Sequence, residues 1–425
     1  MSTYLRQFDV HFECVGPVFI GSGEKRTSKE YVQVDNRVYF PEMADLYSVV
    51  TRLHKADAFE SFVLNDGAGQ GASRLRDWLE RNGFGKPLKI EPLHRHMGGY
   101  TIPLGPLTKG RGRKRQDGRT TNGQENRIND IHTFVKDAYG RPYIPGSSVK
   151  GLLRSLYLQY MVTRPQTARG GRPAPAKTAI SPERPSSPRP AAPRPEAGYR
   201  PTPGGGVRGR TGGHSRPGWP NEQTELEFLR RAYRPDTSAH DAVNDLFQAI
   251  RVSDSSPLPL DSLRIIQKVD RPLKGDDSGM PLYRECIASN TSFAVRVVVD
   301  TSAPKVGGFP QGVNFLTNLA SIASSVNHAR YADYAAKFMG GDPLDGPYVY
   351  LGGGAGYRSK TIVTDQAQMA DILDGQFNRG RYGVRHKRKT EELGVSPLTL
   401  KIARTSETEY DEMGQCRISV QEVDG

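Results

Sequence analysis

Phe8, Val10, Phe12 and Cys14 alternate with Gln7, Asp9, His11 and Glu13, a two-residue period that predicts a strand with one face buried. Gly16 and Pro17 interrupt it. Tyr31–Val34 and Arg37–Phe40 flank Asp35-Asn36, a dipeptide that tolerates positive φ, and predict a hairpin. Apolar residues at Met43, Leu46, Val50 and Leu53 then recur at helical spacing, and a second helix is expected around Ser73 to Arg81, with Gly83 placed to end it. Further along, Glu225 to Arg234 reads as helix, and Leu263 to Val269 and Ser292 to Val299 read as strands. The longest helical pattern covers Val313 to Met339, where Phe315, Leu319, Ile322, Val326 and Ala329 lie three or four residues apart. A helix of that length needs a sheet to cover. Strands separated by helices, with hairpins between some of them, indicate a mixed α/β sandwich of the βαββαβ kind in each half of the chain.

The pattern fails in two places. Residues 163–222 turn into Pro, Arg, Gly, Ser and Ala, as in Ser181-Pro182-Glu183-Arg184-Pro185. Such a stretch buries too little apolar area to offset its ordering entropy, so it is expected to be a disordered insert with polyproline II character. It divides the chain into an N-terminal domain, 1–162, and a C-terminal domain, 223–425. The second failure, residues 105–127, places Lys109, Arg111, Arg113, Lys114, Arg115 and Arg119 among glycines. A mobile basic loop is expected there.

Charge sharpens the picture. With 59 Lys and Arg against 46 Asp and Glu, the 425 residues carry a formal +13. That excess points to a polyanion, because each phosphate neutralised by Lys or Arg releases a condensed counterion. Nucleic acid is favoured over an anionic membrane. Met1 to Gln7 lack the charged start and apolar core of a signal peptide, and no apolar run approaches about 18 residues; the expected location is the cytoplasm. Cys14, Cys286 and Cys416 stand singly, giving neither a disulfide framework nor a zinc half-site.

Two segments stand out as candidate chemistry. Tyr143 to Arg154 reads as a strand end, a tight turn at Gly146 and a helix start, with Ser147 or Ser148 as N-cap and Val149, Leu152, Leu153 and Leu156 as the apolar face. Free N–H groups at that start, with Lys150 and Arg154 one turn apart, form a candidate phosphate site. The competing reading has Gly146 serving the turn, Gly151 permitting close packing and the cations forming a solvated face. In the second segment, Leu351 to Thr361, the residues Gly352, Gly353, Gly354 and Gly356 precede Tyr357, Arg358 and Lys360. It invites a Walker A reading, but counting from Gly354 puts Ser359 where the second glycine belongs, and nucleotide hydrolysis is not expected. What survives is a loop of small side-chain bulk against which a nucleic-acid backbone can lie, or a turn that only glycine can make.

The runs I-P-G-S-S-x-K-G-x-x-R (Ile144 to Arg154) and L-G-G-G-A-G-Y-R-S-K-T (Leu351 to Thr361) resemble RAMP-superfamily proteins of CRISPR systems. Val18 to Glu24, Asp245 to Ser255 and Tyr283 to Ile287 extend the resemblance towards the type III-A Csm family that sits at the 3′ end of the guide RNA, subunit five of that complex. The resemblance implies two ferredoxin-like or RRM-like domains, a capping place in the assembly, crRNA and neighbouring Csm subunits as partners, and host ribonucleases as recruited partners in crRNA maturation. No cofactor is expected, and the resemblance carries no role onto the insert.

Some RAMP relatives cleave guide precursors with a histidine, so a processing endoribonuclease or another RAMP of a type III complex is the alternative. Of His11, His94, His96 and His132, only His94-Arg95-His96 forms a close pair, and no sequence constellation supplies the positioned partners that general acid–base cleavage needs. No catalytic or metal-binding residue is assigned. A non-catalytic RNA-binding subunit is expected.

Overall fold

The computed structural model describes residues 4–64, 74–107, 128–163, 220–230, 237, 241–341, 344–363, 365–377, 386–406 and 408–423. The basic segment with Lys109, Arg111, Arg113, Lys114 and Arg115, and nearly all of the 163–222 insert, lie outside them.

The first part of the chain forms β1 (Leu5–Cys14), β2 (Gly21–Arg26), β3 (Val32–Val34), β4 (Arg37–Phe40), α1 (Met43–Arg52), α2 (Ala56–Leu64), α3 (Leu75–Arg81), α4 (Ile90–Met97), β5 (Tyr100–Pro103), β6 (Ile131–Phe134) and α5 (Gly146–Thr163). Then follow α6 (Pro220–Phe228), β7 (Ile250–Val252), β8 (Leu263–Pro272), β9 (Ser278–Ile287), β10 (Ser292–Asp300), α7 (Gln311–Thr317), α8 (Leu319–Arg330) and α9 (Ala336–Met339). The chain closes with β11 (Tyr348–Tyr350), α10 (Gln366–Phe377), α11 (His386–Leu393), β12 (Thr399–Arg404), β13 (Tyr410–Glu412) and β14 (Gln415–Val423).

Phe8, Val10, Phe12 and Cys14 are buried as their period predicts. The strand they form is the centre of a five-stranded antiparallel sheet in the order β11-β14-β1-β10-β7. Taken in chain order, β1, α5, β7, β10, α7 with α8, and then β14 trace one ferredoxin-like βαββαβ path with neighbours 2-3-1-4. This path crosses the insert: Leu5 pairs with Asp300, and Gln7 with Val423. A six-stranded sheet, β13-β12-β8-β9-β6-β2, is likewise drawn from both sides of the insert, with β6 and β9 its parallel pair. The division expected at residues 162 and 223 is therefore one of sequence composition, and the sheets do not follow it. β3-β4-β5 and α1 to α4 form a body contiguous in sequence, with its own core around Tyr39, Leu46, Phe59, Trp78 and Leu79.

The hairpin forms as expected, with Asp35 at φ 50°, and Gly83 (φ 91°) follows the end of α3. Two expected helices differ from their patterns. The run from Val313 is broken at Asn318, whose side-chain amide donates to the Asn314 carbonyl at 2.9 Å, the kind of local bond that bends a helix. It is broken again by a π turn at Tyr331–Ala335. The helix expected at Glu225 begins earlier, at Pro220, where a missing N–H costs nothing.

Candidate nucleic-acid interface

Gly146 starts α5 against the end of β7. A Cβ at Gly146 would sit 2.3 Å from the Val252 carbonyl oxygen, so only glycine lets the helix approach. Its N–H donates to Asp254 Oδ1 at 2.7 Å, and the Ile144 N–H donates to Ser255 Oγ at 2.9 Å. The first amide of the helix is thus satisfied by Asp254 from the neighbouring loop. Neither Ser147 nor Ser148 provides the expected cap; Ser147 is exposed and Ser148 half-buried. From there Val149, Leu153, Leu156 and Tyr157 face the core, where Tyr157 meets Phe247, Phe309 and Phe315 edge-on at 5.2–5.7 Å.

The cations of this segment do not behave alike. Arg154 donates to Asp245 and, at 3.0 Å, to Glu225, so its charge is held inside the protein. Asp245 also accepts from the Phe247 N–H at 2.9 Å and stands 3.4 Å from Arg230. It is a structural carboxylate that caps a turn and pairs with arginines. Lys150 is half-buried; burial holds its ammonium below the usual lysine range, Asp245 pulls it back up, and Arg154 and Arg251 push it down again.

The glycines of the second segment are required by the backbone. Gly352, Gly354 and Gly356 have φ of 77°, 93° and 85°. A Cβ on Gly352 would lie 2.2 Å from the Phe19 carbonyl oxygen, and one on Gly354 would lie 2.4 Å from Arg284 Nη1. The Gly353 N–H donates to that Phe19 oxygen at 2.6 Å, and the Lys360 and Thr361 amides both donate to the Tyr357 carbonyl at 3.1 Å. These amides are turned inward, so the loop lacks the free cradle of a Walker A motif. Arg358 is buried, 3.6 Å from Asp333, and burial lowers the affinity of its guanidinium for its proton. The exposed Lys360 folds its ammonium onto the Gly352 carbonyl, and Tyr357 is half-buried.

The two segments, about two hundred residues apart in sequence, meet across one cleft with a cavity of about 350 Å³. Ser147, Ser148, Gly151, Ser155 and Gln159 line one wall, on the face of α5 turned away from the core. Gly352, Gly353, Arg358 and Lys360 form the opposite rim, and Asn327 and Arg330 of α8 close the floor. A Cβ on Gly151 would meet nothing within 4 Å among the described residues. Its expected packing role is therefore absent, and its missing side chain widens the cleft. Beneath the floor, Arg330 pairs with Glu412 in full burial, donates to the Tyr350 hydroxyl at 2.6 Å and lies over the Tyr350 ring at 4.0 Å. Lys150 and Arg154 do not line the cavity, nor do Gly354, Gly356 and Tyr357. Asn327 and Arg330 carry no signal in the sequence, because their helix has the pattern of plain core. The polar positions Ser148, Ser155 and Gln159 on α5 are legible as a stripe.

Residues 11–319 match the RAMP superfamily model. The chain belongs to the RAMP superfamily. Over its full length it is 45% identical to the full-length CRISPR system Cms protein Csm5 of Mycobacterium tuberculosis, and 26% identical, again over both full lengths, to the protein of that name from Streptococcus thermophilus. Its fold is similar to a chain in the cryo-EM structure of a Csm–crRNA–target RNA ternary complex of a type III-A CRISPR-Cas system, with a TM-score of 0.54, 15% identity, and coverage of 97% of this chain and 100% of that one. Within the superfamily it is thus most like subunit five of the Csm complex, and its mixed α/β fold is that of these proteins. No helix among the described residues is long and apolar enough to cross a membrane.

Proposed function

We propose that this chain is the crRNA-binding, non-catalytic capping subunit of a type III-A Csm effector complex, holding the 3′ region of the guide in the cytoplasm. The observation that carries this reading is the convergence of the helix start at Ser147 and Ser148 and the glycine loop at Gly352 and Gly353 on one cleft in a chain of net charge +13. A backbone lying along that rim passes Lys360, with Lys150 nearby on the same helix as the two serines. Phosphate contacts of this kind position RNA without reading its sequence. The relatives named Csm5 and the fold shared with a chain of a crRNA-bound complex support crRNA and neighbouring Csm subunits as partners. Recruitment of host ribonucleases for crRNA maturation belongs to the same proposal.

Lys150→Ala with Lys360→Ala should weaken binding of single-stranded RNA of any sequence and make log affinity fall less steeply with log salt, by about 0.7 for each phosphate left without its cation. Wild-type affinity and slope in a folded double variant would refute the assignment. The processing-nuclease alternative rests on histidines that lie elsewhere: His94 and His96 are exposed on α4 and line no part of the cleft. Guide precursor incubated with the purified chain should stay intact.

A further inference from the structure

We infer that the cavity in this cleft takes one unstacked nucleobase of the bound RNA, so that the site grips a base as well as the backbone; this rests on the RNA-binding reading above. The volume, about 350 Å³, is at the small end of ligand pockets, which run from about 300 to about 1,000 Å³. Its walls are of two kinds. Leu152, Leu156, Val326 and Val349 supply apolar surface of the sort a base face needs. Polar side chains line it as well, and at the floor two of them are buried: Asn327 is 3% exposed and Arg330 5%.

Arg330 decides between a base and a phosphate. Both its terminal nitrogens are held by Glu412, and one also by Tyr350. The charge at the floor is therefore already neutralised, and a second anion would gain little net attraction from it. The Arg330 Nε has no hydrogen-bond partner among the described residues, but it is enclosed and does not face the open space of the cavity. A floor closed by a neutral ion pair suits the neutral edge of a base better than a phosphate, which would be desolvated there without a free cation to offset it. Gln159 adds a polar edge, anchored by one Nε2 hydrogen donated to the Thr361 carbonyl at 2.8 Å, with its Oε1 as acceptor. The arrangement places phosphate-binding groups on the rim and base-binding groups on the floor. Gly151, with open space where a side chain would be, leaves the passage between them.

The full-length chain would be cross-linked by ultraviolet light to single-stranded RNA containing 4-thiouridine, and the linked peptides mapped. Bases should link to the Leu152–Leu156 and Val326–Arg330 peptides. Ser155→Phe, which fills the cavity, should abolish these links and weaken binding about tenfold, the loss expected for one stacked base, with the salt slope unchanged because the phosphates stay on the rim. RNA that binds with wild-type affinity to a folded Ser155→Phe chain, or that links only outside the cavity in the wild-type chain, overturns the base pocket alone. A wild-type chain that binds no RNA overturns both this inference and the reading beneath it. Because the wild-type map needs no variant, misfolding of Ser155→Phe would not shield the idea.

Discussion

Replacing Gly151 by alanine sets two consequences of the structure against each other. Glycine inside a helix destabilises it by about 0.5–1 kcal/mol relative to alanine, because more backbone freedom is lost on folding. Gly151 lies in the second turn of an eighteen-residue helix, it is exposed, and an added Cβ meets no atom within 4 Å. Nothing among the described residues opposes the gain. Gly151→Ala should therefore raise the free energy of unfolding by about 0.5–1 kcal/mol, seen as a higher urea midpoint at unchanged slope. The same methyl enters the cleft where RNA is proposed to lie, so affinity for single-stranded RNA should drop while stability rises. A merely structural glycine cannot produce opposite signs. If the variant is less stable, the helix needs the glycine for its own packing; if it is more stable and binds RNA as before, the cleft is not the RNA path.

Two further outcomes follow from charged groups. Arg154→Ala takes from Asp245 and Glu225 the guanidinium they share and leaves Asp245 with the more distant Arg230, so urea unfolding should show a loss of about 1.5–3 kcal/mol, the usual range for hydrogen bonds to charged groups, while the salt slope of RNA binding in the folded fraction stays at the wild-type value; a shallower slope with unchanged stability would mean the arginine reaches RNA instead. Burial pushes the Glu30 carboxyl up, but the Thr27 amide and hydroxyl and Arg26 outweigh it and hold the net value below the ordinary range, so its contribution is complete above the unfolded carboxylate value of about 4.3 and is lost as pH falls through the lower folded value; Glu30→Gln should remove that part of the acid sensitivity, and identical urea midpoints for variant and wild type across pH 7 to about 3 would refute it.

Much of this architecture is readable where a pattern is local. The alternation of β1, the Asp35-Asn36 hairpin and the start of α5 each depend on a few neighbouring residues, and each is found. Topology is not readable in this way, because β1 has no sequence mark that distinguishes β10 and β14 from nearer partners. The Pro- and Arg-rich insert suggests a boundary between domains, since composition reports where a core is absent and says nothing of which strands meet across the gap. The two glycine-bearing motifs are visible in the sequence, but their meeting in one cleft needs the fold. Arg154 shows the limit most clearly. Its spacing from Lys150 is that of a phosphate clamp, and only the arrival of Glu225 and Asp245 from beyond the insert turns it into an internal ion pair.

The central place of β1 has a bearing on how the chain is made. β1 is flanked by strands that begin at Ser292 and Gln415, so after it is made it must wait until everything up to β9 is synthesised for one neighbour and everything up to β13 for the other. Pairings over such sequence separations form late and slowly, because loop-closure entropy has to be met before any contact rewards it. During that interval Phe8, Val10 and Phe12 have no sheet to enter, whereas the hairpin and helices from Tyr31 to Met97 can close on their own core as soon as they emerge. Assembly of the nascent chain therefore starts in the body from Tyr31 to Met97, and the central strand of the largest antiparallel sheet stays exposed through that interval to chaperones and to other unfinished chains.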